Sequence, residues 1–93
     1  MTDGRPMFRF HVGEDGRFAW CVLPGGWYEV RLRRLRRTWQ WTLAERQSDG
    51  RWVTIAAGAD ATRAAAAQAG LAACGAGGLV TFDAAGEPDG PVY

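Results

Sequence analysis

From Met7 to Ala57 apolar and polar positions recur mostly with a period of two, the mark of strands that bury one face. Phe8, Phe10 and Val12 alternate with Arg9 and His11, and Phe18, Trp20 and Val22 with Arg17, Ala19 and Cys21. Tyr28, Val30 and Leu32 alternate with Glu29, Arg31 and Arg33. Trp39, Trp41 and Leu43 alternate with Gln40, Thr42 and Ala44, and Val53, Ile55 and Ala57 with Trp52, Thr54 and Ala56. Five consecutive strands are predicted.

Turn chemistry sets an expected register. Glu14-Asp15-Gly16 and Ser48-Asp49-Gly50 both suit a three-residue hairpin loop that ends on a left-handed glycine. Such loops pair Val12 with Phe18, Phe10 with Trp20 and Phe8 with Val22. They also pair Leu43 with Ile55 and Trp41 with Ala57. A loop at Pro24-Gly25-Gly26 pairs Val22 with Tyr28 and Trp20 with Val30. The link Arg34 to Arg36 has no Gly, Asn or Pro; setting Leu32 against Arg37 pairs Val30 with Trp39 and Tyr28 with Trp41. The large apolar residues then share one face, which a one-residue slip of a strand would reverse.

A helix is predicted over residues 61–74, with Asp60 as N-cap and Gly75 as its stop. Ala64, Ala67, Leu71 and Cys74 form its apolar stripe. Small residues there suit a close approach to a sheet face of large rings. Leu79 to Phe82 reads as a short sixth strand. The expected fold class is α+β: a five-stranded antiparallel meander, with that short sixth strand, and one Ala-rich C-terminal helix on its apolar face. Residues 1–6 are expected to be a flexible arm, 7–83 a single domain and 84–93 a flexible acidic tail.

The helix raises a question of coverage. Five strands make a sheet roughly 20–24 Å wide, whereas a helix is only about 10–12 Å across. Either the sheet curls round the helix, or uncovered apolar surface meets a partner such as a second copy of the chain.

Composition narrows the functional classes. The chain has 93 residues, 47% of them hydrophobic, and a net charge of +1. This suits one folded domain and excludes a bulk polycation. No apolar run reaches the roughly 20 residues of a membrane span. Residues 1–6 carry no secretory signal, so a cytoplasmic location is expected. Cys21 and Cys74 lack metal or redox spacing and are expected to be reduced, buried thiols. All eleven basic residues are arginine. Codon bias toward Arg and Ala accounts for this, as does selection for guanidinium groups that stack and pair bidentately. Charge is unevenly spread: residues 5–57 hold ten arginines against five acids, and residues 58–93 hold one arginine against four.

No catalytic constellation emerges. His11 is the only histidine and Ser48 the only serine, with no partner base in view. Gly75-Ala76-Gly77-Gly78 follows a helix instead of opening one, so it is no phosphate loop. No cofactor, no metal site and no enzymatic activity are expected. The polar sheet face is more informative. It is expected to display Arg9, His11, Arg17, Arg31, Arg33, Gln40, Thr42 and Arg46 with Trp27 and Trp52, opposed only by Glu29. Arg34, Arg36 and Arg37 are expected at one edge. Arginine beside tryptophan suits cation–π contact and protein hot spots.

Trp39-x-Trp41, Gly50, Gly58 and the Ala-rich helix loosely resemble the strand–strand–helix end of a double-stranded RNA-binding domain. The likeness covers under half the chain. Thr62-Arg63 stand where that family has paired lysines, and residues 1–6 are too short for its first helix, so membership does not follow. By type alone, without a motif, small size and strand-rich build also suit phage-encoded inhibitors such as anti-CRISPR proteins. Two functions are therefore expected as alternatives. One is a non-catalytic protein-binding module, an inhibitor or accessory factor, taking an acidic protein surface on Arg9, His11, Arg17, Trp27, Arg31, Arg33, Arg46 and Trp52. The other is a nucleic-acid-binding module using the same face on phosphates and bases.

Overall fold

The computed structural model describes residues 4–84 of the chain. The strands are β1 (Met7–Val12), β2 (Phe18–Val22), β3 (Tyr28–Leu35), β4 (Thr38–Arg46), β5 (Trp52–Asp60) and β6 (Leu79–Ala84), with one helix, α1 (Arg63–Ala73), between β5 and β6. They form a single sheet in the order β5-β4-β3-β2-β1-β6. The five-stranded antiparallel meander forms, but it is not the whole sheet. The chain crosses over through α1 and lays β6 parallel to β1, so the sheet is mixed and six-stranded. Residues 1–3 of the expected arm and 85–93 of the expected tail lie outside the described residues. Pro6, at the end of that arm, accepts a hydrogen bond on its carbonyl from the Leu79 N–H at 2.9 Å.

Two hairpins differ from expectation by one residue. Gly13 N–H donates to the Phe18 carbonyl at 2.8 Å, which leaves a four-residue loop, Glu14 to Arg17. Leu23 N–H donates to the Tyr28 carbonyl at 2.8 Å, so the next loop runs from Pro24 to Trp27. Val12 therefore pairs with Ala19, not Phe18, and Cys21 with Val30. Strand β2 is flipped: Ala19 and Cys21 point into the core, while Phe18 and Val22 are exposed and Trp20 is half-buried. Volume explains the choice. Phe8 and Phe10 already fill the space beside β2, and three further bulky side chains would overpack it. The two slips cancel at β3, which keeps its expected alignment with β1.

The remaining turns are tighter. Arg36 and Arg37 form a two-residue turn between Leu35 and Thr38, with Arg36 in the left-handed region at φ 58°. Val30 consequently pairs with Leu43, and Leu32 with Trp41. The three-residue loop at Ser48-Asp49-Gly50 is found, with Gly50 at φ 89° and Gln47 N–H donating to the Arg51 carbonyl at 2.7 Å. A bulge between Leu43 and Ala44 then shifts the register, so Leu43 meets Ala56 and Trp41 meets Gly58. The gain is room for a ring: a Cβ on Gly58 would lie 2.7 Å from the Trp41 indole. Val53 and Ile55, expected in the core, are left exposed on this edge strand.

Thr62, not Asp60, caps the helix; its hydroxyl accepts from Ala65 N–H at 3.1 Å. The buried helix face is Ala66, Ala67, Gly70 and Leu71, whereas Ala64 is exposed. These residues pack on Phe8, Phe10, Val30, Leu32 and Leu43. The coverage question is answered by curvature. The Arg63 guanidinium carbon lies 4.0 Å from the Phe82 ring centre and 5.9 Å from that of Trp39. Those rings are thus under about 10 Å apart, although β4 and β6 stand four strands apart, about 19 Å in a flat sheet. The sheet wraps the helix. Its opposite face is convex.

Both cysteines are free. Cys21 is buried, and desolvation, with a smaller contribution from Glu29, pushes its thiol up. Cys74 is half-buried at the helix end, its Sγ donating to the Leu71 carbonyl at 3.2 Å. Because the thiolate is the reactive form, a disulfide-exchange reagent should modify Cys74 promptly in native buffer and Cys21 only on unfolding. Cys74→Ser should abolish the fast phase; equal native rates for both thiols would contradict this.

Candidate interaction surface

Strand alternation places Met7, Arg9 and His11 of β1 on the convex face, together with Phe18, Trp20 and Val22 of β2. Glu29, Arg31 and Arg33 of β3 join them, as do Gln40, Thr42 and Arg46 of β4. The registers set these side chains in rows. Phe18 lies opposite Arg33, Trp20 opposite both His11 and Arg31, and Val22 opposite Glu29. Strand β6 adds Leu79 beside Met7 and Asp83 beside His11.

Three rings run along this surface. His11 and Trp20 have ring centres 5.8 Å apart, and Trp20 and Phe18 5.9 Å apart, both in tilted geometry. Val22, 48% accessible, continues the line along β2, while Met7, 60% accessible, and Leu79, 37%, form a separate apolar pair at the far end of β1, beyond Arg9. The flip of β2 thus creates an aromatic and aliphatic patch on the side expected to be polar. Sequence alternation missed Phe18, Trp20 and Val22 as surface residues because β2 is apolar at every position, Phe-Ala-Trp-Cys-Val. Period two cannot say which side of such a strand faces out.

The arginines divide into two groups. Arg9 pairs with Asp83 at 2.8 Å, and Arg31 pairs with Glu29, whose side chain is mostly buried. Glu29 is therefore not the only opposing charge, since β6 brings Asp83 to the same face. Arg33 and Arg46 have no carboxylate partner among the described residues. Arg46 N–H donates to the Trp27 carbonyl at 2.8 Å, and Arg46 lies opposite Trp52 in the β4–β5 ladder. Trp27, 56% accessible, Arg46 and Trp52 thus form a second, separate row.

Arg17 does not join this face. Its carbonyl accepts from Arg34 N–H at 2.9 Å, which aligns it with the helix-facing positions of β2 and β3. It lines a cavity with Arg34 and Arg36 at the end of the sheet. Elsewhere, Tyr28 donates to Glu45 at 3.1 Å, and this bond pushes its phenol above the usual range. The Arg51 backbone N–H, and then its guanidinium, hold the Asp49 carboxyl below the usual range. Both are contacts between neighbours in a turn or ladder, and neither lies in a cleft. Among the described residues no group of three or more His, Cys, Asp or Glu is placed to hold a metal ion. No helix among them is long and apolar enough to cross a membrane.

Comparison with protein-family models, curated proteins and solved structures returns no match. The class defined by the fold alone is a small α+β protein: one helix held in a curled, mixed six-stranded sheet.

Proposed function

We propose that the protein is a non-catalytic protein-binding module, of the inhibitor or accessory-factor kind, that docks its convex face on a partner with acidic and apolar surface. The observation that carries this reading is the ring line His11–Trp20–Phe18, continued by exposed Val22 and flanked by Arg31 and Arg33. Aromatic and Arg side chains are those that dominate binding energy at protein interfaces. Apolar residues at the centre with charges at the margin match the usual anatomy of such a site. Trp27, Arg46 and Trp52 extend the contact at one end.

Nucleic acid is the competing partner, favoured by rings that can stack on bases. Two features weigh against it. Arg9 and Arg31 already hold carboxylates of the same face, which lowers the cation density needed for counterion release. Met7, Val22 and Leu79 offer bases no ring to stack on.

The test is affinity capture from the native host with the wild-type chain and with Trp20→Ala and Arg33→Glu, each checked for native circular dichroism. Both changes are exposed or half-exposed, and each should weaken capture of a specific partner at least about tenfold. Undiminished capture by both variants removes the convex face from consideration. A gel shift at low salt that fades steeply with added salt and is lost in Trp20→Ala would replace the protein partner with nucleic acid. Light scattering on the isolated chain separates a second copy from a foreign partner.

A further inference from the structure

Arg17, Arg34 and Arg36 converge at the end of the sheet, away from the convex face, and line a cavity of about 420 Å³. Each comes from a different local structure. Arg17 closes the β1–β2 loop, Arg34 sits near the end of β3, and Arg36 occupies the β3–β4 turn. The backbone bond between Arg34 and Arg17 fixes two of them relative to each other, and Arg34 Nε donates to the Arg36 carbonyl at 3.3 Å. Asp15, the nearest acid along the chain, turns its carboxylate to the Arg17 backbone N–H at 2.9 Å. Among the described residues none of the three guanidinium groups has a carboxylate within ion-pair distance.

The backbone supplies an independent observation. Arg36 is the one non-glycine among the described residues with positive φ, at 58°. A two-residue hairpin turn favours Asn or Gly there, because a Cβ in the left-handed region costs about 1–2 kcal/mol. The other left-handed turn positions, Gly16, Gly25, Gly26 and Gly50, all use glycine. Arginine at position 36 therefore strains the turn while placing a third cation at the cavity. Non-glycine residues held in this conformation cluster at ligand-binding sites.

We propose that Arg17, Arg34 and Arg36 form a binding site for a compact polyphosphate group of a small ligand. Guanidinium groups match phosphate oxygens with paired N–H donors. Three of them around one cavity repel each other when it is empty, and a multiply charged anion relieves that repulsion. The cavity is open to solvent and its three arginines are exposed, so it admits a charged group from solution. Its lining among the described residues is arginine alone, which favours phosphate oxygens over the stacking contacts of a nucleic-acid strand.

Calorimetric titration with inorganic triphosphate at low salt tests this directly. One saturable site is expected, with affinity falling at least about tenfold in each of Arg34→Gln and Arg36→Gly. Arg36→Gly keeps the fold intact because glycine suits the turn's φ, so weakened binding in that variant reports the lost guanidinium. Three results would overturn the proposal: no saturable binding at millimolar triphosphate, unchanged affinity in both variants, or sulfate binding as tightly as triphosphate. A single-stranded oligonucleotide that binds more tightly than triphosphate, and loses affinity in the same variants, would assign the site to nucleic acid instead.

Discussion

Phe10→Ala should lower the stability of the fold by about 3–5 kcal/mol. Phe10 is fully inaccessible, and its ring meets that of Phe82 at 5.6 Å. It sits on β1, the meander strand that also pairs with the parallel β6, so its side chain joins both parts of the sheet beneath the helix. Truncation removes the transfer energy of the ring and leaves a cavity that the helix and the strands on either side of β1 cannot readily collapse. Domains of this size are stable by only about 5–15 kcal/mol. The variant should therefore be partly unfolded near room temperature or show a much lower urea midpoint. Urea titration followed by tryptophan fluorescence gives the measurement. A midpoint shift worth less than about 1 kcal/mol would mean that β1 and β6 do not share this core.

Gly70→Val should be nearly as damaging, for the opposite reason. A Cβ at position 70 would lie 2.5 Å from Val30 Cγ1 and 3.6 Å from Trp41 Cε3. Val30 is fully buried, and its branched side chain has little rotamer freedom. On an exposed helix, replacing glycine with a residue of higher helix propensity gains a fraction of a kcal/mol. Here overpacking outweighs that gain, and a loss of about 3 kcal/mol is expected. The mechanism has its own check. Val30→Ala opens the space that the added side chain needs, so the Gly70→Val/Val30→Ala pair should be less destabilised than the sum of the single changes. Additive effects, or a raised melting temperature for Gly70→Val alone, would show that the helix stands off from β3.

How much of this was readable in the residues follows from which strands alternate. Phe8-Arg9-Phe10-His11-Val12 and Trp39-Gln40-Trp41-Thr42-Leu43 declare their sides, and both face as read. Phe18 to Val22 and Val53 to Ala59 are apolar or small at nearly every position, and in both segments the expected facing failed. In β2 the outcome depended on whether Arg17 belongs to the loop or the strand. In β5 it depended on a bulge that no residue type announces. Glu14-Asp15-Gly16 and Ser48-Asp49-Gly50 share their chemistry yet lie in loops of four and three residues, so turn sequence alone did not decide register. Volume was the usable signal: Ala19, Cys21, Ala56 and Gly58 are the small residues that large neighbouring rings require.

The candidate surface was legible to the same degree. Arg9, His11, Arg31, Arg33 and Arg46 share the convex face, since their strands either alternate cleanly or flank ones that do. Trp27 and Trp52 hold their places through the pairing of Arg46. Arg17 left the group with the longer loop, and Phe18, Trp20 and Val22 entered it with the flip of β2. One residue in a hairpin both removed a cation from the convex face and exposed its central ring.

The parallel seating of β6 on β1 bears on how the chain reaches this state. Every pair in that ladder joins residues 72 positions apart, whereas the hairpins of the meander close over short loops. Local pairings form early at small entropic cost, and distant ones wait for the intervening chain to be in place. The β1–β6 ladder is therefore expected to form last. Until it forms, β1 is an open edge with Phe10 unshielded on one side, and the chain is most prone to pair with a neighbour in that interval.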